Sequence, residues 1–476
     1  MNRLRALPFA ARIYLVALAL RLIPVLLAID LPIGLDDMFQ YDMLGRSLAA
    51  GNGFRWYAQE DLDLARQYVD FDFVVGDYDP RGILTSFRAP LYPAFLTGVY
   101  LLSGLTWRLF AARLAQAFIG ATLAPLAYAL GKRLFPEAER GAQWAGWAMA
   151  VYPMLLIYPL ALATENLFIP LVAAATLALL HAADSGRGRD YALAGALLGL
   201  ATLTRSVILG FVGLAILWVW FSRRERRGAL LLAAAVFVLV TPWVVRNSLL
   251  HGKLSGVESS MGYNLYLSYH PEGSGSFQYG ISLDLLPYLD DAQREAIGMQ
   301  SAIGFIRDDP GRVAPLALQR LGYFFGLEKR AISYFYSNGF FGAIPQAPLI
   351  GLFLLFTVPF VVLATLSVAA LALMQSNANR WLVLLLIGGY LLPHVLILAE
   401  PRFHLTLVPL LAAFAGYTLA DWPRLRQRAQ TNRWRLVLAL VLVALLWSNW
   451  GMELWRDADK LAALFGPEGW QAGFSY

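Results

Sequence analysis

Long apolar stretches separated by short polar connections constrain this chain more than any other feature. A helix that crosses the hydrocarbon core of a bilayer needs about 20 predominantly apolar residues, and the longer stretches reach that length. We therefore predict an all-α polytopic membrane protein with a single integral domain over residues 1–476. The stretches lie near residues 12–29, 90–104, 108–130, 141–158, 162–182, 191–204, 206–221, 229–246, 347–374, 381–398, 403–420 and 436–450.

Composition supports a membrane class and excludes several others. Hydrophobic residues make up 58% of the chain and charged residues 15%, whereas soluble domains carry about 25% charged residues. Cysteine is absent, which excludes disulfides and thiolate metal sites. The net charge of +6 arises from basic residues that fall between apolar stretches, so we expect no nucleic-acid partner. The first apolar stretch lacks a small-residue cleavage site, so a cleavable signal peptide is not expected.

The basic residues predict how the chain is oriented. By the positive-inside rule, the connections that carry them and the N-terminus should be cytoplasmic. All of these connections fall inside only if 90–104 lies in the outer interface or re-enters, which leaves about eleven crossings and an external C-terminus. The basic residues in question are Lys132, Arg133, Arg140, Arg187, Arg189, Arg223, Arg224, Arg226, Arg227, Arg380, Arg424, Arg426, Arg428, Arg433 and Arg435.

Two long external loops and a tail follow from this orientation. The first loop, 30–104, and the second, 247–345, should both carry juxtamembrane helices, with a helix near 290–307 that Asp309-Pro310 interrupts. The tail, 451–476, reads as an amphipathic helix on the membrane surface. The outer face also receives the turn 159–162, the corner at Arg205 and the segment from Glu400 to Arg402.

Asp36 and Asp37 follow the first apolar stretch directly and are the first candidate catalytic residues. Carboxylates at the mouth of a membrane helix are costly to desolvate and commonly mark a functional site. One of them could remove a proton from an acceptor hydroxyl or amine while its neighbour orients it. The alternative is that the pair caps an interfacial helix that starts near Met38.

Glu165 is the second candidate acid. It interrupts an apolar passage at the predicted outer start of a helix, on the same side as Asp36. A shared cavity would bring the two acids together. The alternative is a structural helix start, with Glu165 favoured by the helix dipole and Thr164 as the cap.

Arginines at the predicted outer ends of the spans are candidates for binding phosphate, which guanidinium groups hold by paired hydrogen bonds. Arg88 and Arg402 each stand next to a proline at a helix start, whereas Arg205 and Arg246 stand at the ends of spans. Snorkelling to lipid headgroups is the alternative for each of them. His404, in the same motif as Arg402, joins them as a candidate substrate contact.

Aromatic and acidic residues of the outer loops give weaker signals. Tyr41 and Tyr92 could stack on a sugar ring, although membrane interfaces favour aromatic residues in any case. The acidic run within 70–79 offers oxygen ligands for a divalent cation. A solvated loop explains that run as well, so we predict neither a metal site nor a cofactor.

The ordered set of motifs resembles the GT-C membrane glycosyltransferases, most closely the family-39-like branch with the protein O-mannosyltransferases and the aminoarabinose transferase of lipid A. Each motif is loose by itself, but together they cover most of residues 30–420 in the expected order. They are the acidic pair followed by Tyr41, Gly45, Leu48 and Gly51-Asn52-Gly53-Phe54; Arg88-Ala89-Pro90-Leu91-Tyr92-Pro93; Leu162-Ala163-Thr164-Glu165-Asn166-Leu167; Leu203-Thr204-Arg205; Thr241-Pro242-Trp243-Val244-Val245-Arg246-Asn247; and Arg402-Phe403-His404 with Pro409.

The resemblance implies a GT-C fold and an inverting transferase that uses a polyprenyl-phosphate-linked sugar at the extracytoplasmic face of a bacterial or archaeal-type plasma membrane. It implies Asp36 as the base, with Asp37 as the alternative, and Arg88 and Arg402 as phosphate contacts. The second acidic motif, at Glu165, would help to bind the acceptor or the donor head. The chain departs from the family in its Asp-Asp pair and in the acidic excursion 59–80, which leaves the acceptor open among lipid, glycan and protein.

Two other functions remain open from the sequence. A flippase or transporter of lipid-linked sugars should carry charges near the bilayer centre and internal repeats, whereas these charges cluster at the ends of the spans. A polysaccharide polymerase or ligase would also use prenyl-linked donors, but it would have less need of the Asp36 pair.

Overall fold

The computed structural model describes residues 7–34, 37–67 and 78–474, and these residues are overwhelmingly helical. Helices α1 to α10 alternate with short connections in the first half of the chain. They are α1 (Phe9–Leu27), α2 (Asp37–Ala49), α3 (Gln59–Ala65), α4 (Leu91–Ser103), α5 (Arg108–Ala121), α6 (Leu123–Leu134), α7 (Glu139–Val151), α8 (Pro153–Ile157), α9 (Glu165–Ser185) and α10 (Gly188–Thr204). A two-stranded antiparallel ribbon, β1 (Arg55–Trp56) and β2 (Ile83–Leu84), ties the first loop together.

The second half contains the longest helices. It comprises α11 (Leu209–Phe221), α12 (Arg226–His251), α13 (Met261–Tyr269), α14 (Tyr279–Ser282), α15 (Asp291–Asp308), α16 (Val313–Phe324), α17 (Gln346–Leu373), α18 (Ala378–Leu396), α19 (Val408–Ala420), α20 (Trp422–Thr431), α21 (Arg433–Arg456) and α22 (Ala458–Leu464). Single turns of 3₁₀ helix at Tyr158–Leu160 and Ser206–Ile208, and a longer one at Pro401–Leu407, connect them near the candidate site.

The prediction of an all-α polytopic membrane protein is confirmed. Within the described residues, eight helices are long and apolar enough to cross a membrane, and shorter apolar helices such as Ser206–Phe221 add to them. The expected count of about eleven crossings is consistent with this set. The eight are Phe9–Leu27, Arg108–Leu134, Glu165–Ser185, Arg226–His251, Gln346–Leu373, Ala378–Leu396, Pro401–Ala420 and Arg433–Arg456.

Helix α4 occupies the stretch 90–104, which we expected to lie in the outer interface or to re-enter. Its 13 residues rise about 20 Å, which is less than the thickness of a hydrocarbon core. It packs against α2, and Gly45 permits the approach because a Cβ there would lie 2.9 Å from the Tyr100 ring. Length and packing therefore both suit an interfacial position.

The two long loops that the sequence predicts to be external contact each other. The Asp291 carboxylate, at the start of α15, accepts hydrogen bonds from Thr85 Oγ1 at 2.6 Å and from the Ser86 backbone N–H at 2.7 Å. The helix expected near 290–307 is Asp291–Asp308, and it ends where Asp309-Pro310 follows, because proline cannot supply the next backbone donor. Towards the C-terminus, the helical tail is divided at Asp457 between α21 and α22.

Helices α9 and α19 are the most deeply buried candidate spans and form the centre of the bundle. The crossing of α7 and α19 requires glycine, since a Cβ on Gly416 would come within 2.1 Å of the Gly141 carbonyl oxygen. Small residues allow helix backbones to approach closely where no hydrophobic effect drives association. The N-terminus of α9 and the 3₁₀ turn before α19 therefore meet at one end of this centre.

Candidate active site

Asp37 lies in the first turn of α2 between two arginines from distant parts of the chain. Its Oδ1 accepts a hydrogen bond from Arg88 Nη2, and its Oδ2 lies 3.2 Å from Arg402 Nη2. Arg88 is 51 residues away in sequence and Arg402 is 365 residues away. Arg88 also donates to the side-chain oxygen of Gln40, at 2.6 Å from Nη2 and 2.9 Å from Nε. One carboxylate thus links the first loop to the segment before α19.

The charges around Asp37 set its protonation state. Burial alone would raise the pKa of its carboxyl, but Arg88 and Arg402 outweigh this effect and hold the pKa below its usual range, with Arg330 adding to them. Asp37 therefore stays ionised at neutral pH. A carboxylate stabilised in this way is a weak base, because a low pKa means a low affinity for the proton.

Glu165 forms the second ion pair of the site. Its Oε1 lies 2.6 Å from Arg205 Nη1, and its side chain is almost fully buried. Thr164 makes no capping hydrogen bond to the start of α9, so the expectation that it caps this helix is wrong. Its hydroxyl instead donates to Glu165 Oε2 at 3.2 Å. Two polar partners therefore orient the Glu165 carboxylate.

The two ion pairs belong to one cluster. The Arg205 guanidinium lies over the Phe403 ring, 4.9 Å from its centroid, next to Arg402 in the chain. Arg402 also pairs with Glu400, whose Oε2 lies 3.2 Å from Arg402 Nε. We call Asp37, Arg88, Glu165, Arg205 and Arg402 the carboxylate–arginine cluster. Within the cluster, the Asp37 side chain keeps a third of its exposure, whereas Glu165 is almost fully buried.

Tyr41 borders this cluster, whereas Tyr92 lies beneath it. The Arg88 guanidinium lies 5.2 Å from the centroid of the Tyr41 ring, and Tyr41 packs edge-on against Tyr92 at 5.0 Å. Tyr92 is fully buried and donates its hydroxyl hydrogen to Gln116 Oε1 at 2.5 Å. Tyr41 is therefore placed to contact a ligand of Arg88, and Tyr92 to support Tyr41.

The structure does not bring Arg246 and His404 into the cluster. Arg246 donates to the Thr85 carbonyl oxygen at 2.5 Å and stacks near the Trp243 ring, so it braces the strand that precedes Arg88. His404 is fully buried, with Nδ1 2.9 Å from the Phe324 carbonyl oxygen and Nε2 2.8 Å from Glu328 Oε1. Both side chains are occupied by protein partners, which favours supporting roles over substrate contact.

Asp36 lies outside the described residues, as do Asp70, Asp72 and Asp77 of the acidic run. Of that run, Asp79 is described, and it pairs with Arg81 at the surface and with Arg55 at 3.1 Å. Within the described residues, no three His, Asp or Glu side chains are grouped so that they could hold a metal ion.

His394, which none of the motifs singles out, lies close to the cluster. Its Nδ1 lies 3.3 Å from the Leu398 carbonyl oxygen, so Nδ1 carries the hydrogen and Nε2 is left as an acceptor. That Nε2 is buried without a hydrogen-bond partner among the described residues. The imidazole stacks on Phe403 at 4.4 Å, and Phe403 in turn carries Arg205. A lone histidine in an apolar stretch was the signal in the sequence.

A second group of polar residues, which the sequence motifs did not single out, surrounds Ser86 and fixes the segment that carries Arg88. The Ser86 hydroxyl lies 2.6 Å from His251 Nε2 and 2.5 Å from Ser259 Oγ, while its backbone N–H bonds Asp291. These partners come from the second external loop and the end of α12. They fix the backbone two residues before Arg88.

One comparison with known proteins matches part of the chain to a family. Residues 87–245, which include Arg88, Glu165 and Arg205, match the family described as dolichyl-phosphate-mannose-protein mannosyltransferase. No curated protein sequence matches the chain.

Solved structures are similar at low identity. The zinc- and sulfate-bound oligosaccharyltransferase of Archaeoglobus fulgidus superimposes with a TM-score of 0.47 and 16% identity, covering 98% of this chain and 53% of that one. ArnT from Cupriavidus metallidurans, bound to undecaprenyl phosphate, gives 0.38 and 15%, covering 85% and 77%. The chain thus spans about half the length of the oligosaccharyltransferase, and likenesses this distant bear on neither activity nor substrate. The family match over residues 87–245 confirms the resemblance to the GT-C membrane glycosyltransferases of the family-39-like branch.

Proposed function

We propose that this protein is an inverting glycosyltransferase that moves a sugar from a polyprenyl-phosphate-linked donor to an acceptor at the extracytoplasmic face of the membrane. The observation that carries the proposal is the carboxylate–arginine cluster, in which Asp37 and Glu165 share one site with three arginines. Acids and guanidiniums at the ends of apolar helices provide what transfer from a lipid phosphate requires.

The chemistry places a different demand on each kind of side chain. The bond between the sugar C1 and the phosphate oxygen breaks, and the electron pair leaves with the polyprenyl phosphate. The acceptor heteroatom forms the new bond to C1 from the opposite face and loses its proton to a carboxylate. Arginines in a poorly solvated cleft stabilise the charge that gathers on the leaving phosphate. We assign this role to Arg88 and Arg402.

The environment of Asp37 supports different roles for Asp36 and Asp37. With its pKa held down by two arginines, Asp37 is a poor proton acceptor at neutral pH. Its contacts suit a residue that holds Arg88 and Arg402 at a set separation. This leaves Asp36 as the base, as the sequence predicts, with Asp37 as the alternative.

The charge balance of the cluster also suits a phosphate ligand. Among the described residues, the three arginines are matched by Asp37, Glu165 and Glu400. Glu165 and Glu400 are nearly fully buried, whereas the Asp37 side chain retains a third of its exposure. A donor phosphate would therefore compete with Asp37 for Arg88 and Arg402, and leave the Glu165–Arg205 pair in place to meet the acceptor or the sugar.

The test uses purified protein in detergent, a panel of polyprenyl-phosphate sugars as donors and a mixture of lipid, glycan and peptide acceptors, with release of free polyprenyl phosphate as the readout of transfer. We expect at least one donor to raise the melting temperature and to turn over. Asp36→Asn should abolish turnover while it leaves expression and donor-induced stabilisation intact.

Asp79→Asn is the matched control, because Asp79 lies in the same loop but pairs with surface arginines. It should retain wild-type turnover. Near-normal transfer by Asp36→Asn would count against the assignment of the base. A panel in which no donor stabilises the protein or turns over would overturn the proposed function.

A further inference from the structure

The end of the bundle opposite the carboxylate–arginine cluster carries a separate group of arginines. Glu165 and Asp184 mark the two ends of α9 and are 19 residues apart, which corresponds to about 28 Å along a helix. Asp184 pairs there with Arg223 at 3.4 Å and with Arg133. By the positive-inside rule this is the end that the sequence predicts to be cytoplasmic.

A cavity of about 430 Å³ opens at this end between α18, α20 and the connection that precedes α18. Arg380, Arg424 and Arg428 line it together with Glu137 and the polar side chains of that connection. Arg424 and Arg428 are four residues apart on α20, so they share one face of the helix. A cavity of this size accommodates a small headgroup.

Only part of this positive charge is compensated within the protein. Arg380 is fully engaged by Glu137 at 2.9 Å and by the carbonyl oxygens of Gln375 and Leu134. Arg424 pairs with Asp421 at 3.2 Å.

Arg428 differs from the other two arginines. Its Nη1 is buried and has no hydrogen-bond partner among the described residues. Other atoms of Arg428 line the open cavity, and among the described residues no carboxylate pairs with this arginine. The uncompensated positive charge at the cavity wall therefore favours an anion.

The surroundings place this cavity at the level of lipid headgroups. Trp381 lies on α18, Trp422 begins α20, and Trp434 lies at the start of α21. All three side chains are exposed. Exposed tryptophans on a membrane protein mark the interface between the hydrocarbon core and water. Basic pockets between helices at this depth suit anionic headgroups.

We propose that this cavity binds a phosphate anion, supplied by the headgroup of an anionic phospholipid of the facing leaflet or by free phosphate. Arg428 and Arg424 donate to the phosphate oxygens, and Arg380 holds the wall of the cavity in place through Glu137. The site is independent of sugar transfer, since it lies at the other end of the bundle from the carboxylate–arginine cluster.

The test measures the melting temperature of the purified protein in neutral detergent during titration with dihexanoyl phosphatidylglycerol, dihexanoyl phosphatidylcholine or inorganic phosphate. We expect saturable stabilisation by phosphatidylglycerol and none by zwitterionic phosphatidylcholine. Arg428→Gln should weaken the apparent affinity at least about tenfold, because it removes a charge-assisted hydrogen bond. Arg424→Gln, at an exposed position of the same helix, should also weaken the apparent affinity. Because this position is exposed, the second variant tests the site even if Arg428→Gln fails to fold.

Arg426→Gln is the matched control. Arg426 is exposed on the same helix, has the same charge and does not line the cavity, so this variant should bind as the wild type does. Stabilisation by inorganic phosphate alone would support the anion site and identify free phosphate as its source. Equal stabilisation by both lipids, no stabilisation by any of the three probes, or equal affinities for all variants would overturn the proposal.

Discussion

Two sets of arginines in this protein differ in what they bond and in how deeply they are buried. Arg88, Arg205 and Arg402, at one end of the bundle, are paired with carboxylates. Arg113, within the candidate span Arg108–Leu134, bonds backbone carbonyl oxygens: Leu31 at 2.7 Å, Leu160 at 3.0 Å and Pro32 at 3.2 Å. Arg21 does the same in α1, with Ala17 and Met149 at 3.1 Å.

The difference separates scaffold from site. Carbonyl oxygens are fixed by the backbone, so an arginine that bonds them contributes to folding. A carboxylate side chain can move away when a phosphate replaces it, and the guanidinium then keeps a charged partner throughout. The site arginines therefore differ from the scaffold arginines both in their acceptors and in the partial exposure that they keep.

The largest expected effect is on catalysis. Arg402→Gln removes a guanidinium that contacts Asp37 and Glu400, and it should lower turnover about 100- to 1,000-fold, as loss of a donor to a developing anion does. The melting temperature should stay close to that of the wild type. Exposed Arg81→Gln, in the first external loop, is the control. A loss of stability that parallels the loss of activity would place Arg402 with the scaffold arginines and break the comparison.

A substitution of a scaffold arginine should lower stability rather than activity. Arg113→Gln withdraws donors from several buried carbonyl oxygens at once, and we expect the free energy of unfolding to fall by about 2 to 4 kcal/mol. Denaturant titration in detergent measures this loss, and the specific activity of the protein that remains folded should change less than about twofold. Arg189→Gln, at a position that is 76% exposed, should be neutral in both assays. A selective loss of activity in Arg113→Gln would contradict a scaffold role.

A smaller effect is expected for Asp37→Asn, and the pH dependence of turnover in this variant distinguishes the role of Asp37 from that of Asp36. The pKa of Asp37 is depressed, so its ion pairs contribute stability above the ordinary Asp pKa of about 3.9 and lose it only as pH falls through the lower folded-state value. Asp37→Asn should therefore reduce turnover about tenfold, by one lost charge-assisted contact, without moving the midpoint of the acid limb of the pH–rate profile. A shifted midpoint in this variant would identify Asp37, rather than Asp36, as the base.

The smallest expected effect concerns Tyr41. Tyr41→Phe keeps the ring beneath Arg88, so the KM for the donor should change less than about twofold. Tyr41→Leu removes the cation–π contact and should raise KM about threefold, in line with about 0.5 to 1 kcal/mol for such a contact. Equal KM values for the two variants would show that the ring does not help to hold Arg88.

The positions of the helices could be predicted from the sequence because membrane helices form locally. Inside a bilayer every backbone group must be satisfied within its own segment, so length and apolarity suffice to place a span. The stretch predicted at 162–182 is the helix Glu165–Ser185, and the stretch at 347–374 is Gln346–Leu373. The same local patterns predicted a helix start at Glu165 and a helix that starts near Met38, one residue from its observed start at Asp37.

Only the tertiary structure decided which arginine meets which carboxylate. Arg402 reaches Asp37 across 365 residues, and His404, two positions further on, turns instead to Phe324 and Glu328 inside the bundle. No local pattern separates these neighbours, because their environments depend on helices that pack from other parts of the chain. Among the residues that the structure describes, the lack of a partner for His394 Nε2 and of a paired carboxylate for Arg428 is equally a product of packing. The sequence by itself determined where charges stand along each helix, and packing determined which of them are neutralised, since ion pairing depends on distances that only the assembled bundle sets.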